Sequence, residues 1–135
     1  MLSEKEKKLY IDEVVESFYR KAINDIFIGY QFKKISNNPD NLNQVLSDFK
    51  PHLLRIKNFW YQQFSLPSEI ETSERTLFHA HDKLNIRRGE LGRWMTLFKE
   101  ELSLSKIEKT LVFRDQWLQK IEKFEKAFVK KYFKQ

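Results

Sequence analysis

The 135-residue chain predicts an all-α fold. It contains only three glycines and three prolines, and long runs of β-branched residues are absent. Apolar residues instead recur at spacings of three and four, which is typical of helices that bury one face. The length predicts a single domain, residues 1–135, with a core that buries roughly two-thirds of the unfolded surface.

The first half of the chain predicts two long helices separated by a short segment and a turn. The first helix begins between Ser3 and Tyr10 and ends near Asn24, because apolar residues follow a helical period there. Residues 25–35 form a short apolar piece, irregular or helical, that is broken at Gly29, and the Asn-, Pro- and Asp-rich residues 36–41 form a turn. The second long helix begins near Pro51, a residue suited to a first helical turn, and ends before Pro67.

The second half predicts two more long helices. Residues 76–84 read as a short helix or turn that holds two histidines. Residues 86–102 form the next long helix, for which Asn85 is the best available N-cap. A capping box of Ser105 and Glu108 predicts the start of the last helix. Its inward residues at spacings of three and four are Phe113, Trp117, Ile121, Phe124, Phe128 and Tyr132.

Composition excludes several classes of site. There is no cysteine, so disulfides, thiolate catalysis, iron–sulfur clusters and thiolate zinc sites are ruled out. The sequence lacks a Gly-rich phosphate loop and a nucleophile elbow, which leaves hydrolase functions little support. No run of about 18 apolar residues could span a membrane, and the N-terminus lacks the apolar core of a signal peptide. These observations predict a cytoplasmic protein without a membrane partner.

The net charge of +6 keeps a second function class open, namely a basic helical interaction module for nucleic acid or an acidic partner. Lysines outnumber acidic residues from Lys120 onward. A solvated helix face accounts for the same lysines. Nucleic acid is the weaker prediction, because it gives no reason for the pattern of histidines and aromatics described next.

His81 and Trp94 propose the most definite chemistry in the chain. A histidine near a helix end can give a metal a neutral imidazole nitrogen, and a large aromatic on the next helix can line the pocket. The other histidines are His52 and His79; His79 lies two residues before His81 and on a regular helix faces another way. A lone histidine is more often a surface or hydrogen-bonded residue, and the twelve phenylalanines equally suit an ordinary aromatic core.

Five segments in order resemble the third group of the truncated haemoglobins. They are Phe18-Tyr19, residues 29–32 (Gly-Tyr-Gln-Phe), residues 52–60, residues 81–86 and residues 93–98. The last two are the most specific: a histidine, then Leu-x-Ile, then Arg-Trp and Leu-Phe. The resemblance implies a truncated globin fold, a two-over-two helical sandwich around a haem b.

The resemblance also implies a role for each residue that matches. His81 is the implied proximal ligand of the haem iron, and its spacing to Leu84, Ile86 and Trp94 favours it over His79. Tyr19, His52 and Trp94 are the implied distal residues. The implied haem-contacting residues are Phe32, Ile56, Phe59 and Trp94, with Arg55 as a partner for a propionate.

The implied function is the binding of dioxygen or another diatomic gas. The side chains of Tyr19, His52 and Trp94 all offer hydrogen-bond donors. A buried donor aimed at a gas that gains negative charge contributes roughly 1–3 kcal/mol, or about 5- to 150-fold in affinity. We therefore expect slow gas release and redox chemistry on oxygen or nitric oxide, with a reductase as a further partner, rather than bulk transport. A haem-free globin-like sensor stays open, because no glycine occurs between Trp60 and His81.

Overall fold

The computed structural model describes residues 2–70, 81–82 and 84–133, and every regular element among them is helical. The all-α prediction is therefore confirmed for this part of the chain. A 3₁₀ turn at Glu108–Thr110 leads into the last helix. The long and short α-helices are α1 (Glu4–Ile23), α2 (Gly29–Lys33), α3 (Leu42–Gln63), α4 (Arg88–Ser103) and α5 (Leu111–Tyr132).

Helix α1 is the central helix, and its predicted bounds are confirmed. A capping box starts it: the Ser3 hydroxyl accepts from the Glu6 N–H, and the Glu6 carboxylate accepts from the Ser3 N–H, both at 3.1 Å. The helix contacts α2, α3 and α4. This central position explains why its apolar face is so fully buried, with Ile11, Val15, Phe18 and Ala22 at most 1% exposed.

Gly29 begins α2 instead of breaking it, contrary to the sequence expectation. A Cβ built on Gly29 would lie 2.5 Å from the carbonyl oxygen of Ile23, the last residue of α1. Only a residue without a side chain allows the backbone of α2 to approach the end of α1 this closely. The glycine therefore fixes how the two helices meet.

Helix α3 begins nine residues before the predicted start, so the prediction that Pro51 starts this helix is wrong. The Asn41 side chain caps the true first turn by accepting from the Gln44 N–H at 3.2 Å. Pro51 lies inside the helix, where a proline costs about 3 kcal/mol. The extra turns offset this cost by burying Val45 and Phe49 against α1 and α2, and they place His52 mid-helix.

Two predicted caps are also wrong. Asn85 adopts a left-handed conformation with φ 51°, and Arg87 is the residue that precedes α4, its N–H donating to the Glu90 carboxylate at 2.9 Å. The Ser105 hydroxyl hydrogen-bonds the Tyr10 hydroxyl rather than capping a helix. The Ser105 hydroxyl therefore has a tertiary partner, which local capping rules do not consider.

The buried apolar residues form one cluster between α1, α3, α4 and α5. Its centre is aromatic: Phe98 on α4 contacts Trp60 on α3 and Trp117 on α5 at ring distances of 6.2 and 5.5 Å. A single-domain chain stays a prediction. No helix in the described ranges is long and apolar enough to cross a membrane.

Candidate functional site

Tyr19 lies at the centre of a group of aromatic side chains drawn from three helices. Its ring stands 5.9 Å from Phe32 on α2, 5.3 Å from Phe49 on α3, and 4.7 Å from Phe18 beside it on α1. The Phe32 and Phe49 rings contact each other at 5.3 Å, so the three rings close on one another. Tyr19 is only 9% exposed, although a phenol carries a polar group that burial must satisfy.

Trp94 on α4 supplies that polar partner. Burial raises the pKa of Tyr19 well above its usual value, and the polar interaction with the Trp94 side chain lowers it only in part. The phenol therefore stays protonated and keeps a hydrogen to donate. The Trp94 ring is held against Phe18 at 5.1 Å and is stacked on Phe98 at 5.0 Å. Two donor-bearing aromatics thus meet inside the helix cluster.

His52 joins this group at its rim. Its ring stacks on Phe49 at 5.7 Å, and the Arg55 guanidinium contacts its Nδ1. Burial lowers the pKa of His52, and the positive charge of Arg55 lowers it further, so the ring is mostly neutral at pH 7. Because a guanidinium only donates, Nδ1 accepts and Nε2 carries the proton. His52 therefore offers one N–H donor.

An ion pair holds the helix that carries Trp94. Arg93, the residue before it, donates to the Asp25 carboxylate from Nε at 3.1 Å and from an Nη at 2.8 Å. Asp25 also accepts from the backbone N–H groups of Phe27 and Ile28. Burial alone raises the pKa of Asp25, but the hydrogen bonds from Arg93 and the two backbone groups together hold it below its usual value. The pair ties α4 to the connection between α1 and α2.

A second polar tie joins α2 to α4 next to Phe32. The Gln31 side chain donates to the Glu90 carboxylate at 3.1 Å, and the Tyr30 hydroxyl donates to the same carboxylate. Burial raises the pKa of Glu90, but the hydrogen bonds from Tyr30, Arg87 and Gln31 bring it below its usual value. The Gln31 carbonyl oxygen is buried and has no hydrogen-bond partner in the described part of the chain. These contacts fix α2, and with it Phe32, against α4.

His81 contacts a different helix. Its half-buried ring meets Phe128 of α5 edge-on at 5.2 Å. Phe124, one turn earlier on the same face of α5, contacts Phe59 of α3 at 5.4 Å. His81, the implied proximal residue, and Phe59, an implied haem-contacting residue, therefore pack against the same face of α5. His79, the alternative ligand, lies outside the described residues.

The structure brings together part of the predicted site. Tyr19 contacts Phe32 and has a polar interaction with Trp94, and His52 is one ring removed from Tyr19 through Phe49. Among the other predicted residues, Ile56 is half-buried against the core and Phe59 packs at its α5 side. Arg55 is exposed.

Phe49 is the residue that sequence reasoning missed. It contacts Tyr19, Phe32 and His52, and so connects three of the predicted side chains. The signal was available, because Phe49 precedes His52 by three residues, the spacing of neighbours on one helix face. Phe49 was not predicted to lie on the same helix face as His52, because the helix was expected to begin at Pro51.

Bare metal ions have no obvious site here: the described residues contain no group of three or more His, Asp or Glu side chains that could hold one. A haem iron needs only one axial protein ligand, so this finding does not bear on it. No family model, no curated protein and no solved structure matches the chain.

Proposed function

We propose that this chain is a haem-binding globin of the truncated type, third group, with its helices in a two-over-two arrangement around haem b. It binds dioxygen or another diatomic gas for redox chemistry with oxygen or nitric oxide rather than for bulk transport. The observation that carries the proposal is the buried Tyr19 beside Trp94 and Phe32. Tyr19 and Trp94 were selected from the sequence as distal residues and Phe32 as a haem-contacting residue; Tyr19, on its own helix, interacts with the other two, which lie on two further helices.

The chemistry of the side chains fits a haem. The cofactor needs an axial imidazole, flat apolar walls and a few donors on its open side. His81 would hold the haem iron, and its edge-on contact with Phe128 restricts rotation of the imidazole ring. Phe32, Ile56, Phe59 and Trp94 are the wall residues. Arg55 is exposed and carries the fork of N–H donors that suits a propionate.

A bound haem would supply the iron that binds the gas, and His81 would hold that iron. The task of the chain's other residues is to hold hydrogen-bond donors near the gas. A Trp94 indole N–H can only donate, so it uses the Tyr19 oxygen as an acceptor and leaves the Tyr19 O–H free for the gas. A donor that itself accepts a hydrogen bond is polarised and becomes stronger. The neutral His52 adds its Nε2–H at the rim.

An absorbance spectrum of the haem-loaded protein tests the proposal. We expect about one haem per chain, with a Soret band that is lost or shifted in His81→Gly and restored when free imidazole is added. His52→Ala is the matched control, because it removes a histidine from the gas side and should keep the axial ligand. Circular dichroism of each variant checks that the helices persist.

Two outcomes would end the proposal in its present form. A purified protein that takes up no haem would favour a haem-free globin-like sensor or an interaction module. A Soret band that is unchanged in His81→Gly would remove His81 as the ligand and direct attention to His79.

A further inference from the structure

Helix α5 carries one exposed stripe that runs along its whole length. Its six members are separated alternately by four and three residues, so they share one helix face, opposite the buried Phe113, Trp117 and Ile121. All six are exposed, and the stripe extends for about 27 Å at 1.5 Å per residue. In order they are Val112, Gln116, Gln119, Lys123, Lys126 and Lys130.

One end of the stripe is basic. Lys123, Lys126 and Lys130 form no ion pair with any described residue, whereas Lys99 and Lys109 pair with acidic side chains elsewhere. The acidic residues beside these lysines on α5 are Glu122 and Glu125, and Glu125 pairs with Lys99 at 4.0 Å. Three lysines on one face still outnumber the acidic side chains beside them, and their positive field attracts an acidic surface.

The other end of the stripe is apolar. Val112 is 71% exposed, and Ile107 and Leu104, in the segment just before α5, are 69% and 57% exposed. Exposed aliphatic side chains gain nothing against the phosphates of a nucleic acid, but they suit the apolar centre of a protein–protein interface. The combination of an apolar end and a basic end favours an acidic protein over nucleic acid.

The inner face of the same helix leads to the proposed haem. Phe128 on that face contacts His81, and the stripe lies on the far side of α5, about one helix diameter or 10–12 Å away. A protein docked on the stripe is therefore close to the proximal side of the site.

We propose that this stripe docks an acidic, reduced flavoprotein that reduces the haem, an inference that rests on the proposed function. One electron leaves the partner, which is oxidised by one equivalent, and reaches the ferric iron, which becomes ferrous. Charge attraction to the three lysines aligns the partner, and Val112 with its neighbours contributes the apolar contact.

Reduction by flavodoxin, an acidic flavoprotein, tests the electron step. Stopped-flow mixing of ferric protein with reduced flavodoxin at low salt should show at least about a ten-fold slower second-order rate for the triple variant Lys123→Glu, Lys126→Glu, Lys130→Glu. The difference should disappear at high salt because charges are screened. The rate with dithionite, a small reductant, should not change.

A second triple variant controls for net charge. Replacing Lys5, Lys33 and Lys50 with Glu removes one exposed lysine each from α1, α2 and α3. Each replacement changes the charge by two, so either triple takes the net charge from +6 to 0. A stripe triple that is no slower than this control would overturn the proposal.

A binding measurement separates this inference from the proposed function. Fluorescence anisotropy of labelled flavodoxin against the haem-free protein should show binding that the stripe triple and Val112→Ser both weaken. Absence of haem uptake with such binding would refute the globin and leave the docking surface standing. Haem uptake without such binding would refute the docking surface alone. Tighter binding to duplex DNA, lost in the stripe triple, would assign the face to nucleic acid instead.

Discussion

Tyr19→Phe isolates the contribution of one buried hydroxyl to the site. The substitution keeps the ring and its contacts with Phe18, Phe32 and Phe49, and removes only the oxygen that faces Trp94. Because no volume is lost from the ring packing, the fold should lose only the net value of one hydrogen bond, about 0.5–1.5 kcal/mol. Urea denaturation of the haem-free protein measures this change.

The effect on gas binding should be larger than the effect on stability. The donor removed is buried, and a hydrogen bond to a group that gains charge is worth about 1.5–3 kcal/mol. Oxygen release from the haem-loaded variant should therefore be about 10- to 150-fold faster than from the parent protein. Stopped-flow displacement of oxygen by carbon monoxide measures the release rate.

Tyr10→Phe is the matched control for this experiment. Tyr10 is equally buried at 9% exposure, and its hydroxyl has one side-chain partner, Ser105, away from the Tyr19 group. Its loss should cost a similar stability and leave oxygen release unchanged. If Tyr19→Phe releases oxygen no faster than Tyr10→Phe does, the hydroxyl does not contact the gas, and the assignment of Tyr19 is wrong.

Three further predictions concern the fold that holds the site. Gly29→Ala should destabilise the protein by about 1–3 kcal/mol, because its Cβ would meet the Ile23 carbonyl at 2.5 Å. Gly92→Ala is the control: its Cβ would meet nothing within 4 Å, so it should stabilise α4 by up to about 1 kcal/mol. Melting temperatures that shift in the same direction for both variants would contradict this prediction. Phe98→Ala should lower the free energy of unfolding by about 3–5 kcal/mol in urea titrations, because the side chain is fully buried and contacts aromatic rings on three other helices. A decrease of less than about 1 kcal/mol would mean that the core does not depend on Phe98. The folded-state pKa of Asp25 lies below its unfolded value of 3.8, so its ion pair contributes stability that is complete well above pH 3.8 and is lost as the pH falls through the folded pKa. Asp25→Asn should therefore reduce the loss of melting temperature on acidification. If the melting temperature of the variant falls with pH as steeply as that of the parent protein, Asp25 does not control this loss.

The sequence was most informative where local physics decides the outcome. The capping residues and apolar period of α1 lie within the same few turns, and the predicted bounds agree with the structure at both ends. The start of α3 depended instead on a balance that no local rule contains. Pro51 costs a helical hydrogen bond, but the turns before it bury Phe49 against residues far away in the chain.

The same division applies to the candidate site. Its residues could be selected from the sequence because tyrosine, histidine and tryptophan carry the donors that a gas pocket needs, and their order along the chain resembles a known family. Their contacts could not be predicted, because Tyr19, Phe32 and Trp94 lie on three helices whose relative positions depend on a close approach at Gly29 and an ion pair between Asp25 and Arg93.

By itself, therefore, the sequence determined the helical class, the core-facing side of the last helix and the set of candidate donors. The tertiary structure decided where α3 and α4 begin, that Ser105 binds Tyr10, and that Phe49 joins Tyr19 to His52. The physical reason is that helix formation and side-chain chemistry depend on neighbours within a turn or two. The free energy of burying a residue depends on partners tens of residues away, and one sequence alone does not show which residues those partners are.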